Sequence, residues 1–89
     1  MARYYFHIED GSAILDDLGM ELASLAEAKC EAVRYAGSLI CDHAGEFWNS
    51  GDWTMTVTNE AGLSLFSLAL VGTESPSIRA FSPALRASA

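Results

Sequence analysis

Residues Arg3 to Glu9 alternate, with Tyr4, Phe6 and Ile8 on one side and Arg3, Tyr5, His7 and Glu9 on the other. That two-residue period is the mark of a half-buried strand. Asp10-Gly11-Ser12 carries turn chemistry, since an Asp side chain bonds its own backbone and Gly tolerates positive φ. A returning strand follows, and Asp16-Asp17 between Ile14-Leu15 and Gly19-Met20-Glu21-Leu22 makes it short or irregular.

Ser24-Leu25-Ala26-Glu27 reads as a capping box: the Ser oxygen accepts from the residue 27 amide, and the Glu reaches back to the Ser amide. In the helix that follows, Leu25, Ala28, Ala32, Ala36, Leu39, Ile40 and His43 share one stripe, whereas Glu27, Glu31, Arg34 and Ser38 cluster opposite. The alanines predict a close approach to a sheet, and the helix is expected to end near Ala44 with Gly45 as a left-handed terminator. After a loop from Glu46 to Asp52, Trp53-Thr54-Met55-Thr56-Val57-Thr58 alternates large apolar residues with threonine, all strong strand formers. Asn59-Glu60-Ala61-Gly62 is a turn, and Leu63 to Val71 returns as a long apolar strand.

These elements specify an α+β fold, a small β-β-α-β-β domain in which an antiparallel sheet of two hairpins carries one amphipathic helix on one face. The domain is expected to span residues 1–72. Residues 73–89 contain both prolines and no sustained period, and read as a C-terminal tail, flexible or docked on a partner through Ile78, Phe81 and Leu85.

An 89-residue chain of this composition is a single globular domain with a thin core, for which self-association is a natural way to add burial. Five basic against twelve acidic side chains give a net charge of −7, which opposes a nucleic-acid role. The opening residues lack the apolar stretch of ~7 to 15 residues of a secretory signal. Leu63 to Val71 is about half of the ~20 residues that a membrane-spanning helix needs. A cytoplasmic protein without a membrane association is therefore expected. Cys30 and Cys41 are eleven residues apart on one helix, roughly 16 Å. Disulfide geometry needs Cα atoms within ~7 Å, so they do not pair with each other in that helix.

Four stretches carry a resemblance. Arg3-Tyr4-Tyr5-Phe6-His7-Ile8-Glu9-Asp10-Gly11, Asp16-Asp17-Leu18-Gly19-Met20-Glu21-Leu22 and Leu25-Ala26-Glu27-Ala28 occur in order. Trp53-Thr54-Met55-Thr56-Val57-Thr58-Asn59-Glu60-Ala61-Gly62 follows them. Over residues 3–71 the chain resembles an uncharacterised family of short bacterial proteins, a domain of unknown function common in rhizobia and other alphaproteobacteria. The resemblance implies no activity and no assigned site residues. The Tyr-rich strand, Asp-Gly turn and Ala-rich helix are also similar to the antitoxin half of small toxin and antitoxin pairs, although a third strand before the helix is not evident.

The candidate chemistry is sparse. No Gly-rich phosphate loop, Ser elbow or HExxH helix is present, so enzyme function is disfavoured and no cofactor is implied. His7, Glu9 and Asp10 form a polar cluster able in principle to hold a metal or move a proton, since His and carboxylate at i and i+2 share a strand face; a solvated strand edge explains them equally. Asp16-Asp17 reads as turn capping, lacking the alternating oxygens of a calcium loop.

The apolar surplus says more. With Tyr4, Phe6, Ile8, Trp53, Met55 and Val57 against the helix, Tyr5, the threonine row and either Leu65 and Val71 or Phe66, Leu68 and Leu70 are left on the far face. A far face of that character marks a protein contact or a second sheet, with Trp48 and Trp53 beside it as anchors. The expected interface is therefore Tyr5, Trp48, Trp53, Leu65, Phe66 and Leu68, in a non-enzymatic module that forms a homodimer or other homo-oligomer through its sheet. Two readings compete with it: an acidic, antitoxin-like partner for a small basic protein, and a metal-dependent regulator or enzyme centred on His7.

Overall fold

The structure is a computed structural model, and it describes residues 1–77. Its elements in chain order are β1 (Ala2–Glu9), β2 (Ala13–Ile14), β3 (Met20–Leu22), α1 (Leu25–Asp42), α2 (Ala44–Phe47), β4 (Asp52–Thr58) and β5 (Ser64–Val71). The expected β-β-α-β-β order is the one observed, with the second strand broken into β2 and β3. Both pieces pair antiparallel with β1, Ile8 opposite Ile14 and Arg3 opposite Glu21, and β4 lies along the other edge of β1. The sheet order is β2-β1-β4-β5, with β3 also on β1, so β5 forms one edge.

The break between β2 and β3 has a local cause. Asp16 turns its carboxylate back to the strand it left: Oδ2 accepts from the Phe6 amide at 3.1 Å, and Oδ1 accepts from the Leu18 and Gly19 amides at 3.0 and 3.1 Å. Residues 15–19 therefore leave the ladder as a loop and rejoin it at Met20. Gly19 is required there, because its φ is +71° and an added Cβ would lie 2.8 Å from Arg3 Cγ and 3.0 Å from the Tyr4 carbonyl oxygen.

The Ser24 hydroxyl caps α1 by accepting from the Glu27 amide at 3.2 Å. Glu27 Oε1 accepts from Ala23 rather than from Ser24, at 3.3 Å, so the return half of the box is shifted by one residue. The helix ends at Asp42, earlier than Gly45 predicts. The His43 carbonyl accepts from the Glu46 and Phe47 amides, which starts α2 at once, and Gly45 lies inside it. The glycine with positive φ that follows the helices is Gly51, at +76°, just before β4.

Tyr4, Phe6 and Ile8 of β1, Leu22 of β3, Trp53, Met55 and Val57 of β4, and Ala28, Ala32 and Ala36 of α1 form the buried core. Ala28 and Ala32 have no exposed surface, which is how α1 comes close to the strands, and the Tyr35 ring meets Phe6 edge-on at 6.2 Å. Leu25, the first residue of the predicted stripe, overhangs the sheet and is exposed, as is His43 beyond the end of α1.

At the second hairpin Asn59 Oδ1 accepts from the Ala61 and Leu63 amides, and Gly62 adopts φ +82°. Thr58 then faces Ser64 while Val57 faces Phe66, so Leu65 is the extra residue of a bulge. From there Phe66, Leu68 and Leu70 lie opposite Val57, Met55 and Trp53, and residues directly opposite in an antiparallel pair share a face. All three therefore point to the helix side. The register corrects the expected apolar far face: that face carries Arg3, Tyr5, His7 and Glu9 of β1, Thr54, Thr56 and Thr58 of β4, and Ser67, Ala69 and Val71 of β5, and is mainly polar.

Because Ala32 sits against the strands with no free space, Ala32→Leu is expected to destabilise the fold by about 1–3 kcal/mol through overpacking. A thermal melt followed by circular dichroism should show the midpoint falling by at least ~4 °C, and an unchanged midpoint would contradict the packing described.

Candidate functional site

The polar cluster named from the sequence is divided by the fold. His7 and Glu9 lie on the polar sheet face, whereas Asp10 enters the turn and lines a cleft on the helix side. Both ring nitrogens of His7 are engaged: Nδ1 accepts from the Asp16 amide at 3.1 Å, and Nε2 lies 3.1 Å from Thr58 Oγ1. Since Nδ1 accepts a hydrogen bond, Nε2 carries the proton in this arrangement and donates it to Thr58. Tyr5 stacks in parallel on His7, their ring centroids 6.4 Å apart. The imidazole thus holds the 15–19 loop to the sheet, together with Asp16, while Arg3 Nη1 donates to the Leu18 carbonyl at 2.8 Å and its Nη2 to Glu21 Oε1 at 3.0 Å. Among the described residues no three of His, Cys, Asp and Glu are grouped as a metal ion requires.

The residues of the expected interface are also separated. Trp53 is a core residue and not a surface anchor, because the β4 alternation places it with Met55 and Val57 beneath the helix. Tyr5 belongs to the polar face. Trp48 is 56% exposed, and its ring edge covers Gly72, where an added Cβ would lie 2.8 Å from the indole carbons. Leu65, Phe66 and Leu68 are half-buried and pack against the core with Leu39, Ile40 and Phe47. Cys30 and Cys41 are both free and exposed.

Two adjoining clefts, which the sequence pattern did not reveal, lie between α1 and residues 10–20. The first, about 320 Å³, has a floor of Ile8, Leu39, Ile40, Phe47 and Trp53 and a rim that includes Asp10 and Glu46. The second, about 440 Å³, runs on past Ile14 and Tyr35 to Leu15, Leu18 and Met20, with Asp16, Asp17 and Glu31 along it. Leu15 and Leu18 are 75% and 77% exposed. Among the described residues His43 is the one basic-type side chain lining either cleft, and it lies 3.5 Å from Glu46; Glu31 is paired with Arg34 at 3.2 Å. The hydrophobic stripe of α1 signals a helix face in contact with a sheet, but the stripe is wider than the narrow sheet it meets, and the difference is this groove.

Among the described residues no helix is long and apolar enough to cross a membrane. A profile described as a domain of unknown function, DUF6894, matches residues 3–71. No curated protein matches the chain, and no solved structure matches it.

Partial burial acts to raise the Asp16 pKa, but the Gly19, Phe6 and Leu18 amides and the nearby His7 outweigh it, and the carboxyl is held below its usual 3.8. A lowered folded-state pKa means that the stability contributed by this carboxylate is present above pH 3.8 and is lost as pH falls below it. Asp16→Ala is expected to cost about 1–3 kcal/mol near neutral pH by leaving the Phe6, Leu18 and Gly19 amides without this acceptor. Urea unfolding at neutral pH and near pH 3 should show Asp16→Asn losing less stability on acidification than the natural chain; equal losses would contradict the role given to Asp16.

Proposed function

Since the chain belongs to the DUF6894 family, whose description assigns no activity, we propose from its own geometry that it is a non-enzymatic interaction module that self-associates, two copies pairing through the outer edge of β5. The observation that carries this reading is the character of that edge. β5 is eight residues long, and its outer side is unpaired among the described residues. Long exposed edges are templates for strand pairing, and proteins that stay monomeric usually blunt them with charge, proline or a cover. Leu63 to Val71 contains no charged residue and no proline. Two such strands can therefore pair without the like-charge repulsion that a surface of net charge −7 otherwise imposes.

The one-sided core supports the same conclusion. Phe66 and Leu68 are only half-buried and Leu70 is exposed on the helix side. Among the described residues only Met55 and Val57 are large side chains with no exposed surface. A second copy at β5 would place another apolar row beside Phe66, Leu68 and Leu70 and extend the core across the join. The sheet thus associates by its edge, not by its polar face.

The net charge and the acidic cleft rims favour a second reading, an acidic partner for a small basic protein. The two differ in their response to salt. Attraction between exposed charges is screened over ~8 Å at physiological ionic strength, whereas pairing of uncharged strands persists.

Light scattering coupled to size exclusion at ~50 µM should give twice the 9.5 kDa chain mass, unchanged at raised salt. Ser67→Lys combined with Ala69→Lys places two charges on the exposed face of β5 without entering the core, and should return the monomer mass with an unaltered circular dichroism spectrum. A monomer in the natural chain, or a dimer in the double variant, overturns the edge-pairing reading.

A further inference from the structure

The chain is divided in charge, and the division matches the acid-rimmed groove. Residues 1–77 contain all twelve acidic side chains and three of the five basic ones, Arg3, Lys29 and Arg34, for a net charge of −9. Residues 78–89 contain Arg79 and Arg86 and no acid, for +2, which together give the overall −7. The same segment supplies Ile78, Phe81 and Leu85, so each arginine directly follows a large apolar residue.

The point where the chain leaves the sheet adds an independent constraint. The Gly72 amide donates to the Gly51 carbonyl at 2.8 Å, and Gly72 lies under Trp48 and Phe47. Phe47, Ser50, Asp52 and Trp53, the immediate neighbours of that anchor, line the first cleft. The five residues from 73 to 77 span at most ~18 Å, which keeps the start of the following segment within reach of the cleft. Pairing within one chain over so short a connection benefits from an effective concentration of the order of mM.

We infer that the groove between α1 and residues 10–20 is the docking site for residues 78–86 of the same chain, apolar side chains entering the clefts and the two arginines meeting the acidic rim. The floor is apolar where Ile78, Phe81 and Leu85 need burial, and Asp10 and Glu46 stand where a guanidinium gains most. The inference is independent of β5 pairing, because the groove lies between α1 and the first hairpin, away from the outer edge of the sheet.

The test uses the full chain with Cys30 and Cys41 replaced by serine, Ser88→Cys introduced and a nitroxide attached to it. In amide NMR spectra the label should remove at least half of the peak intensity of Ile14, Leu39 and Ile40 and leave Thr56, on the opposite face, at full intensity. The loss should be the same after tenfold dilution and should disappear in Arg79→Glu/Arg86→Glu. Full intensity at the groove residues, broadening centred on the polar face, broadening that fades on dilution and so reports a second copy, or a loss unaffected by the arginine substitutions would each overturn the inference.

Discussion

The alternation of three strands sends nearly every large apolar side chain of the sheet to one side, and a single helix lies on that side. β1 contributes Tyr4, Phe6 and Ile8, β4 contributes Trp53, Met55 and Val57, and the bulge at Leu65 sets β5 so that Phe66, Leu68 and Leu70 join them. A helix that approaches through Ala28, Ala32 and Ala36 covers the middle of this surface closely and leaves its margins open. Close packing in the centre and incomplete cover at the margins are thus two results of the same arrangement. One margin is the groove beside the first hairpin, and the other is the apolar row of β5.

The polar face has its own logic. Threonines on β4 and serine on β5 satisfy the strand environment without demanding burial, and they allow the sheet to remain wet on one side. The most specific chemistry on the molecule, the contacts from Asp16 to the Phe6, Leu18 and Gly19 amides and from His7 to the Asp16 amide, serves to seat a loop. A carboxylate accepting three amides and an imidazole with both nitrogens engaged hold the 15–19 loop against β1.

Much of the architecture was legible in the residues. The period of two over Arg3 to Glu9 and Trp53 to Thr58, the capping serine at Ser24 and the alanine stripe each specify an element through local geometry, and all are found. Gly45 failed as a helix stop because a terminator is recognised only where the chain needs a left-handed residue, and the amides of Glu46 and Phe47 found an acceptor in His43 instead. Trp53 failed as an anchor because its own strand period already assigned it to the core, and size alone does not bring a tryptophan to the surface.

What the sequence by itself determined is the set of elements, their order and the inward side of β1 and β4, because side-chain periodicity and capping act over a few neighbouring residues. The tertiary structure alone decided which way β5 faces, since one extra residue in a bulge exchanges the two sides of a strand and no period within Leu63 to Val71 records it. It also decided that His7 and Asp10 part while His7 and Asp16 meet, and that a groove remains beside α1. Those outcomes depend on register and on the distance between elements far apart in the chain, which local patterns do not encode.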